Sequence, residues 1–337
     1  MSETRPRRSA KFPWQVRLAE ALTAVLFAVG VRRDGTVRRR VLSLLDFHAP
    51  PNPVPADGVA TSDHVVDPAR SLSVRVFAPT PEEESSPAPV VIVYFHGGGF
   101  VFNSAFSHPY DAFCRRLARR VPARVVTVDY HLAPEHRFPA AYDDCFDAVA
   151  WLDDSLAAAD APAAAVFLAG ESAGGNIAHH VARRMQASSF RRLTPAGVVA
   201  VQPFFGGEED TESERRLEGV PMGSRERYKW MWRSFLPEGS SLDHEAANVF
   251  GPGPGSEEHG DWSGFPPTMV VVGGMDTLQD RQRWYCEGLR RAGVEVCVRE
   301  YENAIHAFQF FEGLPEAEQM VVDVADFIRE VVGSGRK

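Results

Sequence analysis

The chain has 337 residues, of which 44% are hydrophobic, so it can build a full core in one or two domains. The formal net charge of −9, from 36 basic and 45 acidic residues, argues against nucleic acid as the main partner. The four cysteines show no metal-binding spacing and fit free thiols in a reducing compartment. We therefore expect a cytoplasmic protein, with the nucleus as the second compartment to test, and no metal ion or organic cofactor.

Positive charge is concentrated at the N-terminus, where residues 1–40 hold ten basic and three acidic side chains. We predict that residues 1–12 form a disordered basic tail. A solvated tail is the favoured interpretation, and binding to a membrane surface or an acidic partner stays open as an alternative.

The next segment, residues 13–31, predicts a helix whose apolar face consists of Val16, Leu18, Ala19, Leu22, Val25, Leu26 and Val29. Its uncharged run, 21–31, is shorter than the roughly 20 residues that cross a bilayer, so we expect no stable membrane insertion. A signal peptide is the competing interpretation. Arg17, Glu20 and the absence of a small-residue cleavage site argue against it. Together with the proline-rich linker at 50–55, residues 13–55 are predicted to form lid helices that dock on the body.

Strands and helices alternate after the linker. Predicted strands cover 72–78, 90–95, 124–130, 165–169, 197–203, 268–273 and 295–301. Predicted helices cover 111–120, 140–154, 173–185, 278–292 and 315–332. The runs at 90–95 and 269–272 are apolar without alternation, which is typical of parallel strands covered on both faces. Residues 56–337 therefore predict one α/β domain with a mostly parallel central sheet and helices on both faces.

Residues 206–262 are rich in loops and interrupt the alternation of strands and helices. They predict a cap insert at the carboxyl ends of the strands, where such sheets bind ligands. One helical stretch there is rich in aromatic residues, including Tyr228 and Trp232. With Phe100 these are our candidates for substrate contacts. Packing in the core is the alternative for all three.

The pentapeptide Gly170-Glu-Ser-Ala-Gly174 follows an apolar strand and precedes a helix. This is the G-x-S-x-G pattern of a nucleophile elbow, in which a sharp turn projects the Ser172 hydroxyl above the sheet. The pattern alone is weak, because it also occurs in ordinary glycine-rich turns. The flanking strand and helix favour the catalytic interpretation.

A second glycine-rich segment, His96-Gly-Gly-Gly99, follows the strand at 90–95. Glycines allow the loop to point backbone N–H groups at one spot and leave room for an acyl group. We predict that the N–H groups of Gly98, Gly99 and Ala173 form an oxyanion hole, and that His96 braces the loop.

A serine nucleophile needs a base and an acid, which in this pattern follow it in the order acid, then histidine. Asp276 and His306 each lie just past a predicted strand, and neighbouring strands bring such loops together. The predicted catalytic triad is therefore Ser172, Asp276 and His306. Asp280 is a weaker candidate for the acid.

From about residue 71 to the C-terminus, the chain resembles plant carboxylesterases of the hormone-sensitive-lipase group of α/β-hydrolases. The resemblance is carried by residues 96–100, 129–136 and 170–176 and by Asp276 and His306. It implies an α/β-hydrolase fold, the Ser-Asp-His triad and hydrolysis of a small or medium-sized carboxylic ester. It implies a small-molecule ester substrate, and we expect no nucleic-acid partner and a monomer or homodimer.

Within that group the chain is similar to the gibberellin receptors at 205–207, 211–214 and 235–239 and in its N-terminal lid. Those receptors have an aliphatic residue at the position of His306, a serine at the position of Gly99 and an Asp-Arg pair at the positions of Arg227 and Tyr228. These departures favour a working enzyme. A non-catalytic hormone receptor and a related dehydratase or lyase remain the alternatives.

Overall fold

A computed structural model describes residues 12–80, 90–252 and 260–334, so the predicted basic tail lies almost entirely outside the described residues. Eight strands form one sheet in the order β1-β2-β4-β3-β5-β6-β7-β8. The strands are β1 (Val59–Asp67), β2 (Leu72–Pro79), β3 (Val90–Phe95), β4 (Arg124–Asp129), β5 (Ala164–Glu171), β6 (Leu193–Val201), β7 (Thr268–Gly273) and β8 (Val296–Tyr301). The helices are α1 (Trp14–Gly30), α2 (Arg39–Leu45), α3 (His108–Arg120), α4 (Ala140–Ala158), α5 (Ala173–Gln186), α6 (Glu212–Arg216), α7 (Arg225–Phe235), α8 (Gln279–Arg291) and α9 (Pro315–Ser334).

The sheet is parallel from β4 to β8 and antiparallel in the pairs β1-β2 and β2-β4 at one edge. The predicted α/β fold with a mostly parallel sheet is therefore confirmed. Strand β1 is absent from the prediction because its outer half is polar and solvent-exposed, so it carries little hydrophobic signal.

Both faces of the sheet are covered. On β3, Val91, Val93 and Phe95 pack in a core with α4, α5 and α8, whereas Ile92 and Tyr94 pack in a second core with α3 and α9. A strand buried on both faces needs apolar residues at every position, which explains why this segment does not alternate.

Helix α1 docks on the cap through a polar and aromatic face. The Glu20 carboxylate accepts hydrogen bonds from the Arg227 guanidinium at 3.0 Å and from the Met222 backbone N–H at 2.7 Å. About two helical turns after Glu20, the ring of Phe27 lies edge-on to Trp230, with the ring centroids 5.0 Å apart. The predicted contact between the N-terminal segment and the body exists, and its role as a lid stays a prediction.

The predicted apolar docking face of α1 is wrong at its centre, whereas Ala19, Leu26 and Val29 are half-buried. Leu18, Leu22 and Val25 are 50%, 55% and 55% exposed, and Val16 is the one member of that face that is fully buried. In the cap, the Arg227 guanidinium and the Met222 backbone N–H both bond to Glu20, so the face of α1 that carries Glu20 packs against the cap. Among the residues described, no helix combines the length and the apolar content that a membrane crossing requires.

The cap insert lies between β6 and β7 and contains α6 and α7. Helix α6 begins with a capping box in which Thr211 and Glu214 satisfy each other's backbone N–H groups. Ser213 then donates its hydroxyl to the Thr277 carbonyl at 2.7 Å, and its N–H to the Asp280 carboxylate at 2.7 Å. The start of the cap is thereby fastened to the loop that follows β7.

The four cysteines have free thiols, as predicted. Cys114, Cys145 and Cys286 are buried, and Cys297 is half-buried. Burial raises the pKa of the Cys286 thiol to about 12, so this group stays protonated at neutral pH.

Helix α5 begins in backbone contact with the end of β3. A Cβ added to Gly174 would lie 1.9 Å from the Phe95 carbonyl oxygen, and one added to Gly170 would lie 2.4 Å from the Gly174 carbonyl carbon. Neither neighbour is a flexible side chain that can move away. The close approach of strand and helix at the elbow therefore requires glycine at both positions.

We expect Gly174→Ala to lower the free energy of unfolding by about 3 kcal/mol, because the added methyl group forces two backbone segments apart. Gly333→Ala is the matched control, since Gly333 lies in α9 with no atom within 4 Å of the added Cβ. It should raise the stability by about 0.5 to 1 kcal/mol, the usual gain for this exchange in a helix. Urea denaturation followed by circular dichroism measures both, and equal effects would contradict the close-packing argument.

Candidate active site

The predicted site residues come from four loops at the carboxyl ends of parallel strands. The glycine-rich loop follows β3, Ser172 follows β5, Asp276 follows β7 and His306 follows β8. Since these strands are neighbours or near neighbours in the sheet, their loops meet at one edge.

Ser172 occupies a strained backbone conformation, with φ 53° and ψ −120°. Non-glycine residues rarely adopt a positive φ, and such strain persists only where the surroundings enforce it. Here the Ser172 N–H donates to the Val201 carbonyl at 3.0 Å, and the Ser172 carbonyl accepts from the Phe204 N–H at 2.8 Å. The turn has the backbone geometry of a nucleophile elbow.

His306 and Asp276 are in direct contact. Nδ1 of His306 lies 2.8 Å from Oδ2 of Asp276, and both side chains are buried. Because the carboxylate is an acceptor, this contact makes Nδ1 the donor and leaves Nε2 as the nitrogen that can accept a proton. The rival acid, Asp280, instead accepts from the Ser213 N–H.

The pKa of His306 is raised above its ordinary value. Burial lowers this pKa, but the charge of Asp276, the hydrogen bond to Asp276 and the charge of Glu171 together outweigh burial. The site therefore stabilises the imidazolium form of His306, which is the form that follows proton uptake.

The glycine-rich loop uses conformations that favour glycine. Gly98 has φ +100°, and a Cβ added to it would lie 2.3 Å from the Phe102 carbonyl oxygen. Gly99 has φ +60°, and a Cβ added to it would lie 2.2 Å from the Met231 sulfur. Among the described residues, the N–H groups of Gly98, Gly99 and Ala173 have no hydrogen-bond acceptor. Three backbone donors are therefore free to bind an anionic or polar ligand.

His96 braces this loop. Its Nδ1 lies 2.8 Å from the Gly97 carbonyl oxygen, and its ring stacks on Tyr130 with the centroids 4.1 Å apart. The Tyr130 hydroxyl also donates to the His96 carbonyl at 2.8 Å. Both ends of the residue are fixed, as expected for a side chain with a structural role.

Glu171, the residue before Ser172, is a buried acid that the sequence analysis did not single out. Its carboxylate accepts from the hydroxyls of Tyr94 and Tyr110, both at 2.6 Å, and from the Gly97 N–H at 2.7 Å. Burial raises its pKa to about 7, although the three donors act in the opposite direction. Glu171 links the elbow to the glycine-rich loop. Its position inside the G-x-S-x-G pentapeptide is the sequence feature that could have identified it.

Tyr228 is the candidate contact residue nearest to the base. Its ring centroid is 6.0 Å from that of His306, and its hydroxyl donates to the Met222 carbonyl at 2.5 Å. The hydroxyl therefore fixes the segment before α7, while the ring is left to face the imidazole. A contact between Tyr228 and substrate stays a prediction.

Phe100 and Trp232 belong to an aromatic cluster beneath the cap. The Phe100 ring stacks on Phe235 with the centroids 3.8 Å apart, and Trp232 stacks on Phe204 with the centroids 4.6 Å apart. Both side chains are almost fully buried. Core packing accounts for their position, and substrate contact by either residue stays a prediction.

Loops at one edge of the sheet carry a serine on an elbow, an imidazole held by a carboxylate, and three backbone N–H groups that have no acceptor among the described residues. Such a set can attack a carbonyl carbon and stabilise the oxyanion that forms. Within the described ranges, no group of three or more histidine, cysteine, aspartate or glutamate side chains is placed to hold a metal ion.

Comparison with known proteins places this site in a family context. The family profile of the alpha/beta hydrolase fold matches residues 92–310. Gibberellin receptor GID1C of Arabidopsis thaliana is 39% identical over 311 residues, covering 88% of each chain. Carboxylesterase 20 of Arabidopsis thaliana is 32% identical over 309 residues, covering 89% of this chain and 94% of the relative.

A solved structure agrees with this assignment. The hyperthermophilic esterase from the archaeon Pyrobaculum calidifontis superposes with a TM-score of 0.72 at 28% identity, covering 95% of this chain and 98% of that one. The sequence relatives include both receptors and esterases, and the eight-stranded sheet is shared with an esterase. The chain belongs to the α/β-hydrolase family, on the evidence of its profile match, its relatives and its fold.

Proposed function

We propose that the protein is a carboxylic ester hydrolase that acts through an acyl-enzyme on a small or medium-sized ester. The observation that carries the proposal is the hydrogen bond between His306 and Asp276 beside the strained elbow of Ser172. Relatives described as carboxylesterases support ester hydrolysis as the reaction class.

In the first half of the reaction, Nε2 of His306 takes the proton of the Ser172 hydroxyl, and the serine oxygen attacks the ester carbonyl carbon. Asp276 keeps the proton of His306 on Nδ1 and stabilises the imidazolium that forms. The raised pKa of His306 supports this role, because it reports a site that favours the charged imidazole.

The carbonyl oxygen becomes an oxyanion as the tetrahedral centre forms. In our proposal the N–H groups of Gly98, Gly99 and Ala173 bind it, and each such donor contributes roughly 3–4 kcal/mol to transition-state stabilisation. Their lack of an acceptor among the described residues supports this assignment.

In the second half, the imidazolium protonates the leaving alcohol, and the alcohol departs to leave an acyl group on Ser172. Water then enters, His306 takes its proton, and the resulting hydroxide attacks the acyl carbon. As the second tetrahedral centre collapses, the bond between the acyl carbon and the Ser172 oxygen breaks, the imidazolium returns its proton to that oxygen, and the carboxylic acid is released.

A hormone receptor is the second candidate function, because a gibberellin receptor is among the relatives and α1 docks on the cap. The triad residues argue against it, since a receptor gains nothing from a base beside a serine. In addition, Tyr228 stands where the resembling receptors have an arginine. It offers a neutral donor in place of a charge-assisted one, which is roughly twice as strong.

We expect the wild type to hydrolyse p-nitrophenyl acetate or butyrate, and Ser172→Ala to lower kcat/KM by several orders of magnitude because the nucleophile is lost. Release of p-nitrophenol measures both proteins. His306→Val should have a comparable effect, while its circular dichroism spectrum stays that of the wild type. Normal turnover by the Ser172 variant would place the nucleophile elsewhere.

The pH profile of kcat/KM should rise through one ionisation above pH 6.5, because His306 must be neutral to act as a base and its pKa is raised. Glu171→Gln should move this limb to lower pH, since the charge of Glu171 contributes to raising that pKa. Stopped assays between pH 5 and 9 measure the midpoint. Glu330→Gln, an exposed substitution on α9, is the control and should leave the midpoint in place.

Isothermal titration with a bioactive gibberellin should show no binding, or a Kd weaker than about 10 μM. The reason is that His306 places a polar group where a hydrocarbon skeleton would pack, and Tyr228 cannot supply a charge-assisted bond to a carboxylate. Submicromolar affinity together with recruitment of a protein partner would favour the receptor over the esterase.

A further inference from the structure

Gln202 lies directly after β6, at the centre of the candidate site. It is 1% exposed and has φ 43°, a backbone conformation that is rare for a residue with a side chain. Its N–H donates to the Val271 carbonyl of β7 at 2.9 Å. Neither burial nor a positive φ is expected of a polar residue at a strand end unless its surroundings hold it there.

The Gln202 side chain bonds to the acid and to both sides of the base. Its Nε2 donates to Oδ2 of Asp276 and to the Ile305 carbonyl, both at 3.0 Å, and its Oε1 accepts from the Ala307 N–H at 2.9 Å. A flipped amide would set its oxygen against two acceptors and its NH₂ group against a donor. The contacts therefore fix the orientation of the amide.

The neighbours of Gln202 hold the nucleophile. Val201 accepts from the Ser172 N–H and Phe204 donates to the Ser172 carbonyl. The segment from 201 to 204 thus contacts Ser172 and Asp276 directly, and it contacts the two residues that flank His306. Gly273 leaves room for the Gln202 amide, because a Cβ at that position would lie 2.4 Å from Nε2 of Gln202.

We propose that Gln202 is a positioning residue that holds Asp276 and the His306 loop in register with Ser172. The proposal rests on the proposed ester hydrolysis for its effect on rate. Ile305 and Ala307 flank the base, so one amide that bonds to both fixes the loop on either side of the imidazole. Its bond to Asp276 sets the acid at the same time, and a displacement of about 1 Å between such groups typically costs about a hundredfold in rate.

Gln202→Met removes the three bonds at similar volume. We expect kcat to fall by about ten- to a hundredfold with little change in KM, because the lost interactions orient the catalytic groups and touch no substrate. A urea denaturation curve of the variant shows whether it is folded under the assay conditions.

Gln202→Glu keeps the shape and tests the position of the donor. Protonated, the introduced carboxyl group can still donate to Asp276 and accept from the Ala307 N–H. Ionised, it repels the Asp276 carboxylate and raises the pKa of His306. A pKa raised by about one unit leaves about tenfold less neutral imidazole at pH values below it, so the ratio of variant to wild-type kcat should be lower near neutral pH than at pH 9. A general packing defect lowers the ratio equally at every pH. Gln319→Glu on the exposed side of α9 adds the same charge and should give a constant ratio.

An NMR titration of the His306 imidazole, assigned by the loss of its signal in His306→Gln, gives a readout that needs no turnover. We expect its pKa to rise by about one pH unit or more in Gln202→Glu. If the wild type fails to hydrolyse esters but this pKa rises, the esterase proposal is wrong and the positioning role stands. Unchanged kcat and an unchanged His306 pKa in Gln202→Glu, at pH values where its carboxyl group is ionised, would overturn the positioning role. An unchanged kcat in Gln202→Met would do the same.

Discussion

The strained backbone of Ser172 is the constraint on which the rest of the site depends. A positive φ at a residue with a side chain costs about 1–3 kcal/mol, and it persists only where neighbouring structure supports it. Backbone contacts supply part of that support: the contact of Gly174 with Phe95, and the two hydrogen bonds to the segment at 201–204. The position of the Ser172 backbone therefore depends on the registers of β3, β5 and β6 and on helix α5.

Two buried carboxylates surround this elbow, and both are satisfied by uncharged donors. Glu171 accepts from two tyrosine hydroxyls and a backbone N–H, and Asp276 accepts from the amides of Gln202 and Gln282 as well as from His306. Neutral donors stabilise a carboxylate by hydrogen bonds and leave its negative charge in place. An arginine or lysine would offset that charge. At pH values where both groups are ionised, the charge of Asp276 and, to a smaller extent, that of Glu171 act on the imidazole, and they raise its pKa in spite of its burial.

Most of the fold and the main site residues could be predicted from the sequence, because a parallel sheet and a nucleophile elbow leave local signals: unbroken apolar runs, and glycines at close contacts. The remainder depends on contacts between distant segments. Gln202 and Glu171 acquire their roles from partners 61 to 105 residues away in the sequence. The docking face of α1 was wrong for the same reason, since hydrophobic periodicity locates a helix but does not reveal that its partner surface presents Arg227.

The similarity to hormone receptors in the cap reflects a shared framework. Thr211 caps α6, Ser213 bonds to the turn that carries Asp276, and Glu214 forms a buried ion pair with Arg281 at 2.7 Å. These contacts hold the acid loop in place whether or not the site turns over substrate, so they cannot distinguish an esterase from a receptor. The resemblance implies that the discriminating positions are His306 and Gly99, where an aliphatic residue and a serine are expected in the receptors. A side chain at Gly99 would meet the sulfur of Met231, so a receptor-like serine would require the Met231 side chain to move.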